Sequence, residues 1–314
     1  MKLVFCGTPQ FAVPTLGALI AAGHDVELVI VQPDRPVGRA QQMMAPAVKQ
    51  AALKAGIPVT QPEKIRNNPE LRAQLEAIAP DAIVVVAYGR IIPQWMLALP
   101  RLGCINLHAS LLPKYRGAAP IQWAVAEGET VTGNTTMLLE EGLDTGPILQ
   151  QQQVEIGPEE TAAELFDVLA ERGAPLVVET LAGLADGSIH PRRQEDALAT
   201  LAPMLTREDG RMDFIARTAT ELKNRWRGFQ PWPGAFTSID GKKLIVHRLA
   251  VAEEQSASPR VDPGAVLVEG QHLLVACAKG TWLELLEVQL EGKKRMAAAE
   301  FLRGTQLTAG ARLG

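Results

Sequence analysis

The sequence predicts an α/β protein in which a Rossmann-like doubly wound sheet is followed by a small antiparallel β-barrel. Three observations carry this. At 314 residues the chain is longer than one typical domain. Apolar strand-like runs alternate with helical stretches through about residue 185, the rhythm of a parallel sheet covered by helices. Beyond residue 207 the pattern changes to short strands separated by hairpin-type turns. The expected division is a first domain over 1–189, a linker over 190–207 and a second domain over 208–314.

The elements follow in order. Lys2–Gly7 is a short apolar strand, and Pro14–Ala22 a helix ended by Gly23. Asp25–Gln32 is β-branched and continuous enough for a buried parallel strand. A helix over 45–55 closes at Gly56, and Pro58–Gln61 is a short strand. Asn68 caps a helix over 69–78. Asp81–Tyr88 and Gly103–His108 read as core strands. After the first strand the glycines are Gly7 and then Gly17, which lacks the G-x-G-x-x-G spacing of a dinucleotide site and disfavours a nicotinamide dehydrogenase.

Ile121–Ala126 begins a helix, and Thr135–Leu139 and Ile148–Val154 are strands flanking a Gly-rich turn. Thr161 and Glu164 form a capping box for a helix to Arg172, with a second helix over Leu176–Ala185. Gly187–Thr206 carries Pro191, Pro203 and charges without periodicity, hence the linker assignment. A helix over about Arg211–Arg225 precedes strands at Ala235–Ile239, Lys243–Leu249, Ala265–Glu269, His272–Ala276 and Trp282–Val288. Asp240-Gly241 and Glu269-Gly270 supply hairpin turns.

Composition narrows the class. A hydrophobic fraction of 47% supports sizeable cores, and 21% charge is ordinary for a soluble chain. Cys6, Cys104 and Cys277 are odd in number, widely spaced and form no metal-ligand pattern, which fits buried thiols in a reducing compartment. No apolar run reaches the roughly 18 residues of a membrane span. A cytoplasmic, monomeric protein without a metal is expected. The net charge of −4 hides an asymmetry: residues 1–203 hold 15 Lys+Arg and 22 Asp+Glu, residues 204–314 hold 16 and 13. A mildly basic second domain is compatible with an RNA handle or with an ordinary mixed surface.

The most informative stretch is Asn106-Leu-His108-Ala-Ser-Leu-Leu-Pro-Lys-Tyr-Arg-Gly-Ala-Ala-Pro120, answered by Gly142-Leu-Asp144-Thr-Gly146. Asn106 and His108 are two residues apart at the end of a strand and point to one face. The carboxyl edge of an open α/β sheet is where ligands bind. An amide and an imidazole can stabilise an oxyanion and a carboxylate can help move a proton, which suits acyl transfer to an amine. Taken singly, each residue could equally be a strand-end or turn residue.

The ordered set resembles the 10-formyltetrahydrofolate-dependent formyltransferases, in which Asn-x-His, the Ser-Leu-Leu-Pro loop and a later Asp in a Gly-rich turn form the active site. Phe5-Cys-Gly-Thr-Pro9, Gln32-Pro-Asp-Arg-Pro-Val-Gly-Arg39, Val84-Val-Val-Ala-Tyr-Gly89 and Phe229-Gln-Pro-Trp-Pro233 extend the likeness over nearly the whole chain, in particular to members that act on initiator methionyl-tRNA. The resemblance implies catalytic roles for Asn106, His108 and Asp144. It implies a 10-formyltetrahydrofolate pocket shaped by Ser110, Leu111, Leu112 and Pro113, and an OB-like barrel in the second domain. Two roles stay open for Asp144: orienting a protonated His108, or accepting the ammonium proton through water.

The same resemblance sends the long connection after the second strand, Pro33–Met44, into the tRNA acceptor end with Arg39 as its contact. Gln41-Gln42 stand where related chains often carry lysines. Lys223, Arg225 and Arg227, next to Trp226, Phe229 and Trp232, suit phosphate contact and base stacking; a helix side at a domain boundary would read alike. Two other readings compete: a formyltransferase for a nucleotide-linked amino sugar or a purine precursor, and a non-catalytic RNA-binding protein on a degenerate scaffold. Neither small substrate needs the Arg39 loop or the basic second domain, and a scaffold without chemistry needs none of Asn106, His108 and Asp144.

Overall fold

The computed structural model describes residues 1–37, 42–252, 261–305, 307 and 310–314. The chain divides into two compact units. The first comprises 1–121, 131–156 and 164–203; the second comprises 122–130, 157–163 and 204–314.

In the first unit, strands β1 (Lys2–Gly7), β2 (Asp25–Ile30), β5 (Val59–Thr60), β6 (Ala82–Val86) and β7 (Cys104–His108) are parallel. Strands β9 (Val131–Leu138) and β10 (Ile148–Glu155) add antiparallel to β7. The sheet has seven strands in the order β10-β9-β7-β6-β1-β2-β5. The chain thus runs outward from β1 in one direction, returns to β6, and continues in the other. That reversal is the switch point at which open α/β sheets bind ligands. All five residues of β6, Ala-Ile-Val-Val-Val, are buried, as a strand covered on both faces requires. Helices α1 (Val13–Ala21), α2 (Ala47–Lys54), α3 (Pro69–Ile78) and α4 (Gln94–Leu97) follow the early strands. Asn68 caps α3 by accepting the Leu71 amide at 2.9 Å.

Two features differ from the sequence expectation. The long connection after β2 is a β-hairpin, with β3 (Arg35–Val37) paired to β4 (Gln42–Met44); Arg39 and Gln41 lie outside the described residues. Its base is tied down by polar groups. Lys49 donates to both Asp34 oxygens at 2.9 and 2.8 Å, and to Gln61 at 2.6 Å. Hydrogen bonds from Lys49 and Gln61 hold the Asp34 carboxyl below its ordinary pKa.

The two helices expected to break near Gly173 and Pro175 form one helix, α6 (Ala162–Asp186). Gly173 is a packing residue rather than a stop: a Cβ there would lie 2.7 Å from Leu107 Cδ2. Pro175 deletes one backbone donor, and the buried Leu165, Leu169, Val177 and Leu181 hold the helix across it.

The second unit is built on an antiparallel sheet in the order β12-β13-β16-β15-β14: β12 (Ala235–Ile239), β13 (Lys242–Val251), β14 (Val266–Glu269), β15 (His272–Ala276) and β16 (Trp282–Leu290). A short β17 (Met296–Ala297) pairs with β16, and helix α8 (Ala298–Gly304) follows; the sequence reading foresaw neither. Leu244, Val246, Val275, Leu283, Leu285 and Val288 form the core with Leu222, Phe214 and Phe301. Edge strands β12 and β14 do not pair with each other among the described residues, so the expected barrel is an open sheet.

Helix α7 spans Ala219–Gly228, not Arg211–Arg225. Asp213 accepts the amides of Ile215 and Ala216 at 3.1 and 3.0 Å, making a turn where the helix was expected. A Thr218–Glu221 capping box then sets the true start. At its end, Gly228 meets the last turn of α5 (Pro120–Ala126): a Cβ would lie 2.6 Å from both Ala126 N and Gln122 O. Gly228→Ala is expected to destabilise the protein by about 1–3 kcal/mol through overpacking. The check is the thermal unfolding midpoint, and an unchanged midpoint would show that α7 shifts at no cost.

All three cysteines are free and buried. Burial pushes the Cys104 and Cys277 thiols up to about 12 and raises Cys6 as well. Among the described residues no helix is long and apolar enough to cross a membrane, and no cluster of His, Cys, Asp and Glu could hold a metal ion.

Candidate active site

Asn106 and His108 project from one side of β7, while Leu107 between them turns to the opposite side and packs at Gly173 of α6. β7 is fixed on both edges: Asn106 is opposite Val85 of β6 and Met137 of β9, and His108 is opposite Thr135 of β9. A strand held this way places its terminal side chains with little freedom. Asn106 is 9% exposed and His108 6%.

The His108 Nε2–H donates to the Tyr115 carbonyl at 2.9 Å. A carbonyl only accepts, so Nε2 carries a proton, and Nδ1 is turned toward the interior of the site. There Asp144 Oδ2 lies 3.7 Å from Nδ1. That gap exceeds a direct hydrogen bond and leaves the imidazole edge available to an incoming group. Asp144 Oδ2 also accepts the Gly117 amide at 2.8 Å, which anchors the carboxylate. Asp144 sits in the left-handed region at φ 50°, a conformation uncommon outside glycine. The Asn106 amide makes no hydrogen bond among the described residues. Both its N–H groups remain for a ligand.

The Ser110–Pro113 loop divides into inward and outward residues. Ser110 is fully buried, and its hydroxyl donates to the Lys114 carbonyl at 2.7 Å. Leu112 is buried with Met137 and Ile148. Leu111 and Pro113 are half-buried and are the side chains of this loop still able to meet a ligand. Thr135 holds the loop from below: its hydroxyl donates to Ser110 O at 2.6 Å and accepts the Leu112 amide at 3.1 Å. Gln151 donates to Leu112 O at 2.9 Å.

Sequence reasoning missed Thr135, Gln151, Tyr115, Arg116 and Gln194. One signal for the first was present: Thr132, Asn134, Thr135 and Thr136 make an unusually polar run for the middle of a strand, and all four are buried. The stretch read as a linker over 190–207 is not slack up to residue 202. A strand β11 (Leu201–Ala202) pairs in parallel with β8 (Arg116–Gly117), directly after the Ser-Leu-Leu-Pro loop.

The cations assigned to tRNA fall differently. Within the second unit, Lys223 pairs with Glu159. Arg225 donates to Asp209 O at 3.1 Å and lies 4.8 Å from the Phe229 ring and 5.6 Å from the Trp123 ring. Arg227 is 4% exposed and donates to Gly157 O, Glu160 O and Asn224 Oδ1 at 2.9, 2.7 and 2.8 Å. All three have partners within the unit, and Arg227 is the one that is fully buried. The sequence shows charge but not desolvation. Arg39, the fourth, is outside the described residues. Exposed cations do occur where two turns meet at one end of the sheet: Lys242 opens β13, Lys293 and Lys294 follow β16, and the Glu291 amide donates to Lys243 O at 2.8 Å.

Comparison with known proteins gives a consistent result. The formyl transferase family model matches residues 1–181, and the formyl transferase C-terminal domain model matches 204–306. A methionyl-tRNA formyltransferase of Acidobacterium capsulatum is 67% identical over 314 residues, covering 100% of both chains. One of Koribacter versatilis is 57% identical, covering 100% of this chain and 99% of its own. Among solved structures, an N-formyltransferase from Helicobacter canadensis in complex with folinic acid and dTDP-3-aminofucose aligns with TM-score 0.66 at 19% identity, covering 91% of this chain and 98% of that one. HypX from Aquifex aeolicus in complex with tetrahydrofolic acid aligns with TM-score 0.59 at 16% identity, covering 96% of this chain and 47% of that one. At such identities the structural likeness is one of fold.

Proposed function

This chain belongs to the formyl transferase family, and from that premise we infer that it transfers the formyl group of 10-formyltetrahydrofolate to the α-amine of initiator methionyl-tRNA. The product is N-formylmethionyl-tRNA for translation initiation. The observation that carries the reading is the full-length likeness to methionyl-tRNA formyltransferases in a chain whose Asp144 and His108 converge beside an unpartnered Asn106.

In this reading the amine attacks the formyl carbon, and a C–N bond forms as the carbonyl oxygen becomes an oxyanion. The Asn106 N–H and the His108 edge facing Asp144 donate to that oxygen. Asp144, held by Gly117, orients His108. The ammonium loses its proton, the bond to the folate nitrogen breaks, and that nitrogen leaves protonated as tetrahydrofolate. Leu111 and Pro113 offer apolar contact to the folate beside His108, and buried Ser110 and Leu112 set the loop's shape. The reaction belongs to the cytoplasm, where its substrates are, and the protein acts as a monomer. The first domain, 1–189, carries the chemistry and the second, 208–314, the tRNA grip, with Arg39 at the aminoacyl end.

Incubation with 10-formyltetrahydrofolate and charged initiator tRNA should yield formyl-methionine on deacylation. Formylation of a nucleotide-linked amino sugar in place of the tRNA would overturn the reading.

The tRNA grip has its own expected result. Lys242→Gln, Lys293→Gln and Lys294→Gln should each weaken tRNA binding and reduce the slope of log K against log salt by up to about 0.9. Lys223→Gln should leave the slope unchanged, because Lys223 already has Glu159. Unchanged slopes in all three turn variants would place the grip elsewhere.

A further inference from the structure

We propose that Gln194, backed by Arg116, is the positioning residue that holds Asp144 against His108. The proposal rests on the reading of Asp144 as part of the catalytic centre. Its starting point is a residue that the sequence assigns to a linker. Gln194 is 6% exposed, and its amide uses every polar atom. Nε2 donates to the backbone carbonyls of Asp144 at 2.8 Å and Gly146 at 2.7 Å. Oε1 accepts from Arg116 Nε at 3.0 Å and Nη2 at 2.8 Å. Two carbonyls on one side and a guanidinium on the other permit a single orientation of the amide. Gln194 therefore reads the catalytic turn from both sides of Thr145.

Arg116 is buried as well, at 7% exposure, and Asp196 Oδ1 accepts from its Nη2 at 2.8 Å. A buried guanidinium needs such partners, and here they are Gln194 and an aspartate whose side chain is 70% exposed. The next residue, Gly117, supplies the amide that anchors Asp144 Oδ2. One face of the network thus holds the Asp144 backbone and the other its carboxylate. The left-handed φ of Asp144 costs free energy, and these contacts over-determine it.

The same segment reaches His108. Thr200 Oγ1 accepts the Tyr115 amide at 2.8 Å, and Tyr115 O accepts from His108 Nε2 at 2.9 Å. β11 closes on β8 with Leu201 opposite Arg116 and Ala202 opposite Gly117. Gly117 is required there: a Cβ would lie 2.5 Å from Ala202 O. Residues 194–202 are a strap that fixes both partners of the imidazole–carboxylate pair. None of its side chains named here belongs to the formyl-transfer chemistry itself.

Gln194→Glu is the discriminating variant. A carboxylate keeps the shape and pairs more strongly with Arg116, but cannot donate to two carbonyls. Single-turnover formylation should fall by about 10- to 100-fold, the scale for a reacting group displaced by ~1 Å. KM for the folate and for methionyl-tRNA should move by less than about threefold. Gln194→Met, which has neither donor nor acceptor, should behave alike and guards against a folding defect peculiar to the buried carboxylate.

The decisive measurement is the same change in an Asp144→Ala background. If Gln194 acts only through Asp144, Gln194→Glu should there cost less than about twofold. A full additive loss, or normal turnover in the single Gln194 variants, overturns the proposal. Normal turnover in Asp144→Ala alone would instead overturn the role of Asp144, a separate outcome.

Discussion

Replacing Asn106 by Ala is expected to lower single-turnover formylation by about 100- to 1,000-fold with the unfolding midpoint unchanged. The Asn106 amide has no intramolecular partner among the described residues, so truncating it breaks no hydrogen bond of the folded state. Its donors gain a partner only when an oxyanion forms beside β7. His108→Ala should lower the rate on a similar scale, and it also leaves the buried Tyr115 carbonyl without its 2.9 Å donor, so a modest loss of stability accompanies it. The two substitutions together should cost far less than the product of their separate effects, because both serve one oxyanion. A folded Asn106→Ala protein with a near-normal rate would remove the residue from the mechanism.

The second large effect is expected from Gly146→Ala, a change of one methyl group that touches no reacting atom. A Cβ at Gly146 would lie 1.8 Å from Leu138 O. That oxygen belongs to the end of β9, whose pairing with β7 and β10 prevents it from yielding. The turn must move instead, and Asp144, two residues earlier, moves with it. Turnover should therefore fall toward that of Asp144→Ala, while the rest of the sheet keeps its stability apart from the strain at the turn, of order 1–3 kcal/mol. Wild-type turnover in Gly146→Ala would show that the carboxylate is tolerant of its position.

Much of this molecule could be read before any coordinates. Hydrophobic runs located the central strands β1, β6 and β7 because they are covered on both faces, and Asn106, His108 and Asp144 stood out through their ordered spacing. The failures share a cause, which is that local sequence does not name its tertiary partner. Gly173 and Pro175 look like a helix stop, yet Gly173 provides clearance for Leu107 and the helix continues. Gln194 sits among prolines and charges like any linker residue, and only the fold shows it against Asp144. Lys223, Arg225 and Arg227 read alike in the sequence, and only the fold shows Arg227 buried against Gly157 O while Lys223 meets Glu159.

The assignment of 122–130 and 157–163 to the second unit bears on how the chain is made. A growing polypeptide folds from its N-terminal end as it leaves the ribosome. Once residue 203 has emerged, the first unit has all its strands, but Trp123 still awaits Phe229, whose ring it meets edge-on at 5.4 Å. Two stretches from the middle of the nascent protein stay unsheltered until α7 is translated. Cutting the gene at the apparent boundary would make that exposure permanent, so the halves are better expressed as one open reading frame than as separate pieces.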